Sequence, residues 1–165
     1  MKRKDIVIGL IVLAALAGII FSFRKPKDNL TVPSTPSVEE KMEEFFSIEI
    51  PEDVEKTKLS GVVEGFGTGI ATRTYENSIF EHVVLADLPQ PEAPYFYEGW
   101  LVRGEVGDDN FDFISTGKMI LAKGGFILEF KSDIDYSDYR GVVITNEEIE
   151  DSTPEEHVLE GVFSN

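Results

Sequence analysis

The sequence predicts an all-β domain, an antiparallel β-sandwich of about seven or eight strands, preceded by one transmembrane helix and a short amphipathic helix. Three observations support this. Short segments rich in β-branched and aromatic residues follow one another from Leu59 onward, separated by Gly, Pro, Asp or Asn. One uninterrupted apolar run lies near the amino terminus, and a helix-capping pattern begins at Ser37.

The strand prediction comes from eight segments that share this composition. They cover residues 70–75, 80–86, 95–102, 111–114, 118–122, 126–130, 141–145 and 158–162. Between the fifth and sixth of these segments, Lys123-Gly124-Gly125 is typical of a hairpin turn. Short strands at this spacing, with no second long helix, favour a sandwich of two packed sheets.

Residues 6–23 predict a transmembrane signal anchor. Their only polar member is Ser22, and at 1.5 Å per residue a helix of this length reaches about 27 Å, close to the hydrocarbon thickness of a bilayer. A cleaved signal peptide is an alternative, because Ala15-Leu16-Ala17 resembles a cleavage site, and a buried core helix is another. The chain contains no cysteine, which excludes a lipoprotein anchor and disulfides.

Charge divides the chain at this run. The net charge of −16 combines +5 over the first 27 residues with −21 over residues 28–165. A surface this acidic argues against a nucleic-acid partner, because phosphates must be met by clustered cations. We therefore predict a cytoplasmic stub (1–5), the anchor (6–23), a Pro-rich tether (24–37) and an extracytoplasmic β domain (38–165). The free amino terminus favours this orientation, although the flanking charges are nearly balanced.

A short amphipathic helix is predicted between the tether and the first strand. Ser37 begins a capping box, and Met42, Phe45 and Phe46 follow at spacings of three and four, which places them on one helical face up to about Ile48. We expect this face to pack on its own domain, with docking to a partner as the alternative.

No enzyme motif is present in the sequence, and we predict a protein that is not an enzyme and has no cofactor. His82 and His157 are the two histidines, and neither has the neighbours of a recognisable catalytic arrangement. An enzyme of unrecognised type, using carboxylates or His82, is the alternative. Trp100 is the only tryptophan, and we expect it to be a core residue, with ligand stacking as the alternative.

Asp133, Asp135 and Asp138 are the candidate metal ligands, for calcium. They supply hard oxygen atoms within one loop, and residues 107–112 form a second acidic loop. The first loop lacks the central glycine and distal glutamate of an EF-hand. An ordinary solvent-exposed acidic loop is the alternative.

Several short motifs occur in a characteristic order between residues 59 and 163. In chain order they are Leu85-Ala-Asp-Leu-Pro89, Tyr97-Glu-Gly-Trp-Leu-Val102, Ser115-Thr-Gly117, Gly141-Val-Val-Ile-Thr-Asn-Glu147, Ser152-Thr-Pro154 and Val158-Leu-Glu-Gly161. Together they resemble the extracytoplasmic domain of the anti-sigma-K factor family. In that family a cytoplasmic domain holds a sigma factor, one helix crosses the membrane, and the outer β domain has a sensory role.

The resemblance implies a topology and a sensing or interaction role rather than a catalytic one. Only residues 1–5 precede the apolar run, so we expect no sigma-binding domain in this chain. The expected partners are the membrane and an unidentified envelope or membrane protein. The alternative is a regulatory subunit of an anti-sigma system that acts with a separate cytoplasmic sigma-binding protein.

Overall fold

The computed structural model describes residues 35–164. The predicted stub, the anchor and residues 24–34 of the tether lie outside the described residues. Among residues 35–164, no helix combines the length and the apolar character that crossing a bilayer requires.

The described residues contain one short helix followed by nine strands. The elements are α1 (Val38–Phe46), β1 (Glu55–Gly61), β2 (Thr68–Glu76), β3 (Ile79–Asp87), β4 (Phe96–Arg103), β5 (Asp112–Lys118), β6 (Ile120–Ala122), β7 (Gly125–Ser132), β8 (Gly141–Glu147) and β9 (Glu156–Val162). All neighbouring strands pair antiparallel. The all-β, antiparallel prediction is therefore confirmed. The additional strand is β1, which is mostly polar and buries only Leu59, so its composition does not indicate a strand.

The strands form one continuous sheet in the order β5-β4-β8-β9-β1-β2-β3-β7-β6, where the sequence had predicted two. β5 and β6 lie at opposite ends of this order, yet only Met119 separates them in the chain. The Met119 N–H donates to the Tyr97 carbonyl at 2.8 Å. One bent segment thus pairs with β4 through its first part and with β7 through its second, and the sheet is a nearly closed barrel.

The interior of the sheet holds the larger apolar cluster. Side chains alternate between the two faces of a strand, so every second residue of β3 points inward, as Phe80, Val84 and Ala86 do. The buried residues contributed by the other elements include Leu59, Leu101, Leu128, Ile144, Leu159 and Phe163. This interior core joins all parts of the sheet into one unit.

Helix α1 covers the outer face of β2, β3 and β7. The predicted capping box is present: the Ser37 hydroxyl accepts from the Glu40 N–H at 3.1 Å, and the Glu40 carboxylate accepts from the Ser37 N–H at 2.6 Å. Met42 and Phe46 are buried in a second cluster with Ile50, Ile70 and Leu85. The helix therefore packs on its own domain, although Phe45 is 39% exposed.

Candidate functional site

The outer face of β4 and β8, on the side of the sheet that α1 does not cover, contains the candidate site. On β4, Tyr97 and Leu101 belong to the interior core, so the alternating residues Glu98, Trp100 and Val102 point outward. Trp100 is nevertheless only 1% exposed. The prediction that it is a buried residue is confirmed, but it lies outside the barrel interior.

Trp100 is held in one orientation by two contacts. Its indole Nε1–H donates to the Thr145 hydroxyl on β8 at 2.8 Å. Its ring meets Phe113 of β5 edge to face, with ring centroids 6.0 Å apart. A hydrogen-bonded and aromatic-packed indole loses little further freedom when a ligand covers it, which favours binding.

An apolar groove of about 380 Å³ lies over this tryptophan, and we call it the Trp100 groove. Besides Trp100, its apolar lining is formed by Val102, Val106, Phe111, Phe113, Val143 and Pro154. Residues 104–111, which connect β4 to β5, form one wall, and the connection between β8 and β9 (residues 148–155) contributes Pro154. Val106 is 88% exposed, so a large apolar side chain on the groove lining faces solvent.

Arg103 fixes the wall that carries Val106. Its Nε–H donates to the Asn110 carbonyl at 3.1 Å, and its guanidinium donates to the Asp138 carboxylate at 2.8 Å. At the turn itself, the Glu105 N–H donates to the Asp108 carboxylate at 2.9 Å. These contacts give the 104–111 wall a defined conformation before any partner binds.

Two buried carboxylates, Glu98 and Glu147, lie on the same outer face of β4 and β8 as Trp100. Glu98 is hydrogen-bonded through one oxygen to the Ser115 hydroxyl, while its other oxygen, Oε2, is buried without a partner among the described residues. Burial, followed by the charges of Glu147 and of Glu150 in the 148–155 wall, raises the pKa of Glu98. Glu147 accepts from the Glu155 N–H at 3.0 Å and so ties this wall to β8. Both side chains are buried, and neither lines the Trp100 groove.

The two histidines lie in different environments. His82 is buried inside the barrel, where its Nδ1–H donates to the Thr72 carbonyl at 2.9 Å, because a carbonyl oxygen can only accept. Burial, with a smaller effect from the charge of Arg73, lowers the pKa of His82 to about 4. His157 is exposed and borders the Trp100 groove, with Nδ1 2.6 Å from a Glu160 carboxylate oxygen.

Arg73 is a buried charged side chain in the interior of the barrel. Its guanidinium makes two hydrogen bonds to the Glu55 carboxylate, at 2.8 and 3.0 Å, and a third to the Tyr139 carbonyl at 2.8 Å. It also lies over the Phe163 ring at 4.1 Å. Because these contacts satisfy the guanidinium, the arginine serves to connect β2 to β1 and to the loop before β8.

The calcium candidates lie in the connection between β7 and β8. Asp138 pairs with Arg103, while Asp135 accepts from the Ser137 N–H at 2.9 Å and from its hydroxyl at 2.5 Å. The Ser137 hydrogen bonds lower the pKa of Asp135. Within residues 35–164 no three His, Cys, Asp or Glu side chains are grouped to hold one metal ion. Calcium binding through Asp133, Asp135 and Asp138 stays a prediction, and a melting temperature unchanged by millimolar calcium would contradict it.

No protein-family model, curated protein or solved structure matches this chain, so the anti-sigma-K resemblance stays a prediction. Fold and site together define an all-β domain, a nearly closed antiparallel barrel with an apolar groove on its outer surface.

The groove itself was missed from the sequence, although one signal pointed to it. Residues 95–102 are almost continuously apolar, and such a strand is typically covered on both faces. That signal indicates a covered outer face around Trp100. It does not indicate that Val106, Phe111 and Phe113 gather at the same place, because that depends on the path of the β4–β5 connection.

Proposed function

We propose that this protein is a single-pass, membrane-anchored extracytoplasmic interaction domain that binds a protein partner in the Trp100 groove and catalyses no reaction. The observation that supports this most directly is the contiguous apolar lining of the groove, in which Val106 is 88% exposed and Phe111 and Phe113 are partly exposed. Exposed apolar surface of this kind is typical of interaction sites, since solvent exposure brings it no stability.

The groove has the properties of a protein-binding site. Its partly exposed aromatic residues, Phe111 and Phe113, are of a type enriched at interfaces, where a partner excludes water from them, and the buried Trp100 lines the same groove. Arg103 holds one wall and Glu147 the other, so little conformational freedom remains to be lost on binding.

The chemistry of the described residues supports a role in binding. Burial inside the barrel lowers the pKa of His82 to about 4, which keeps the ring neutral, and separates it from solvent. In the groove, the titratable lining residues are Glu105 and His157, and both are exposed to water. A site built mainly from apolar side chains is suited to recognition.

Anchoring restricts which partners the domain can reach. The tether of residues 24–37, at full extension, spans roughly 45 Å from the predicted anchor. We therefore propose a partner that lies in the same membrane or in the adjacent envelope.

The absence of cysteine from the chain makes both parts of the proposal testable in cells. Val106→Cys places a single thiol on the groove lining, and Val162→Cys places one on β9, where the valine is 64% exposed and outside the groove. Both variants are expressed as the full chain at native level and treated with a membrane-impermeant maleimide. Labelling of both in intact cells is expected, and labelling only after lysis would contradict the extracytoplasmic location.

Groove occupancy is read from the ratio of the labelling rates of the two variants. If a partner covers the groove, the thiol of the Val106→Cys variant should react more slowly, relative to that of Val162→Cys, in cells than in the purified full-length proteins. The same ratio in both settings would contradict the binding role of the groove, whatever the location of the domain.

A further inference from the structure

We infer that the segment bound in the Trp100 groove presents an apolar side chain flanked by lysine or arginine residues. This inference rests on the proposed function and specifies the partner's chemistry. The observation behind it is that an apolar lining is bordered by two connections that contain acidic residues and no basic ones.

The acidic border is formed by the two connections that flank the groove. Residues 104–111 and 148–155 contain no Lys or Arg. Their acidic side chains, all exposed, are Glu105, Asp108, Asp109, Glu148, Glu150, Asp151 and Glu155. Arg103, at the base of the first connection, is engaged by Asp138. The border therefore presents negative charge around an apolar surface.

Such a border selects among the occupants that an apolar groove could take. It attracts cationic segments, increases their rate of encounter, and repels acidic ones. The same repulsion disfavours a fatty-acid anion or an anionic lipid headgroup. Specificity then comes from repelling wrong occupants as well as from binding the right one.

The apolar lining defines the remaining part of the ligand. The groove volume of about 380 Å³ lies at the small end of the range for ligand pockets, which suits one or two large apolar side chains rather than a long amphipathic surface. A peptide segment with such an anchor between basic residues matches both the lining and the border. A ligand with only an apolar side chain would leave the acidic border unmatched, and a ligand with only basic residues would leave the apolar lining unmatched.

The sole tryptophan lies under the groove, so its fluorescence reports binding without a label. The full-length chain is reconstituted in phosphatidylcholine vesicles, which have no net charge and no tryptophan. The probe is the synthetic peptide acetyl-Lys-Lys-Leu-Lys-Lys-amide. Two matched peptides serve as controls: one replaces Leu by Ser, and the other replaces all four Lys by Ser.

A saturable change in Trp100 fluorescence with the probe, at least about tenfold weaker with either control peptide, is expected. Val106→Ser should weaken probe binding, whereas Val162→Ser, the same substitution outside the groove, should not. Glu105→Gln should weaken it about two- to fivefold, the range for one exposed ion pair. Glu76→Gln, the same substitution at an exposed position of β2 outside the groove, should leave it unchanged. Raising the salt concentration should weaken binding of the probe.

Each contrary result has a defined meaning. Equal binding of the Leu-to-Ser control would overturn the apolar anchor, and equal binding of the Lys-to-Ser control would overturn the charge selection. Self-association of the wild type that Val106→Ser abolishes would show that a second copy occupies the groove, which also overturns the inference. No response to any peptide, combined with protection of the Val106→Cys thiol in cells, would overturn this inference while leaving the proposed function intact.

Discussion

The two outer faces of the barrel both carry apolar side chains, but within residues 35–164 only one of them is covered by a helix. On β2, β3 and β7, Ile70 and Leu85 lie beneath Met42 and Phe46 of α1, and all four are buried. On β4 and β8, Trp100 is buried, yet the groove above it is open and Val106 is 88% exposed.

The difference separates a structural surface from the surface that we propose for binding. A covering helix that belongs to the same chain needs no association step, so its apolar contacts contribute to folding without the entropic cost of binding. The face of β4 and β8 has no such helix among residues 35–164. No other part of residues 35–164 covers its remaining apolar surface, which is why we propose a binding role there.

Removing a side chain through which α1 covers the sheet should produce the largest loss of stability. Phe46→Ala empties a site that is 0% exposed and should lower the free energy of unfolding by about 3–5 kcal/mol, because transfer energy and packing are lost together. Phe45→Ala, the matched control on the same helix, should cost clearly less, since Phe45 is 39% exposed. Urea unfolding of the full-length protein measures both. Equal losses would show that α1 does not cover its face as described.

Lowering the pH should destabilise the protein through His82, which is buried inside the barrel between the two outer faces. The pKa of His82 is about 4 in the folded state and about 6.5 when unfolded, so the unfolded state binds more protons between these values. Stability from this group is therefore complete above pH 6.5 and falls by about 3 kcal/mol as the pH drops toward 4.

The measurement is the free energy of unfolding at a series of pH values. His82→Asn keeps a donor near the Thr72 carbonyl but cannot titrate, and it should lose this part of the slope. His157→Asn, at the exposed histidine, should keep it. If the unfolding free energy of the His82→Asn variant depends on pH as that of the wild type does, the acid destabilisation does not come from His82.

Weakening the cap of the covering helix should have a smaller effect. Ser37→Ala removes the hydroxyl that accepts from the Glu40 N–H and should cost about 1 kcal/mol. Ser152→Ala, on an exposed loop, serves as the control and should change the unfolding free energy by less than about 0.5 kcal/mol. If both variants change the unfolding free energy by the same small amount, the cap does not stabilise the packing of α1 on the sheet.

The smallest effect on stability should come from the open face. Val106→Ser should change the unfolding free energy by no more than about 0.5 kcal/mol, because the side chain is already in water. The same variant should nevertheless weaken peptide binding. A large loss of stability would show that Val106 is part of the fold rather than of a binding site.

Local features of the fold were readable from the sequence because local chemistry determines them. Ser37 and Glu40 predicted the helix start correctly, since a capping box needs only residues three apart. Each of the eight segments with β-branched and aromatic composition corresponds to a strand, with bounds that differ by a few residues. β1 was not predicted because most of its side chains are polar. It is a strand because it pairs with its neighbours β2 and β9.

The sequence by itself determined the all-β class, the capped helix, the burial of Trp100 and the contrast between a basic amino-terminal segment and an acidic domain. Each depends on composition or on spacings of a few residues. The tertiary structure alone decided that Met119 divides one bent segment between the two ends of the sheet, and that Trp100, Phe113 and Val106 line the same open groove. Those arrangements depend on which distant strands pair and on where their connections run, and no local periodicity encodes that information.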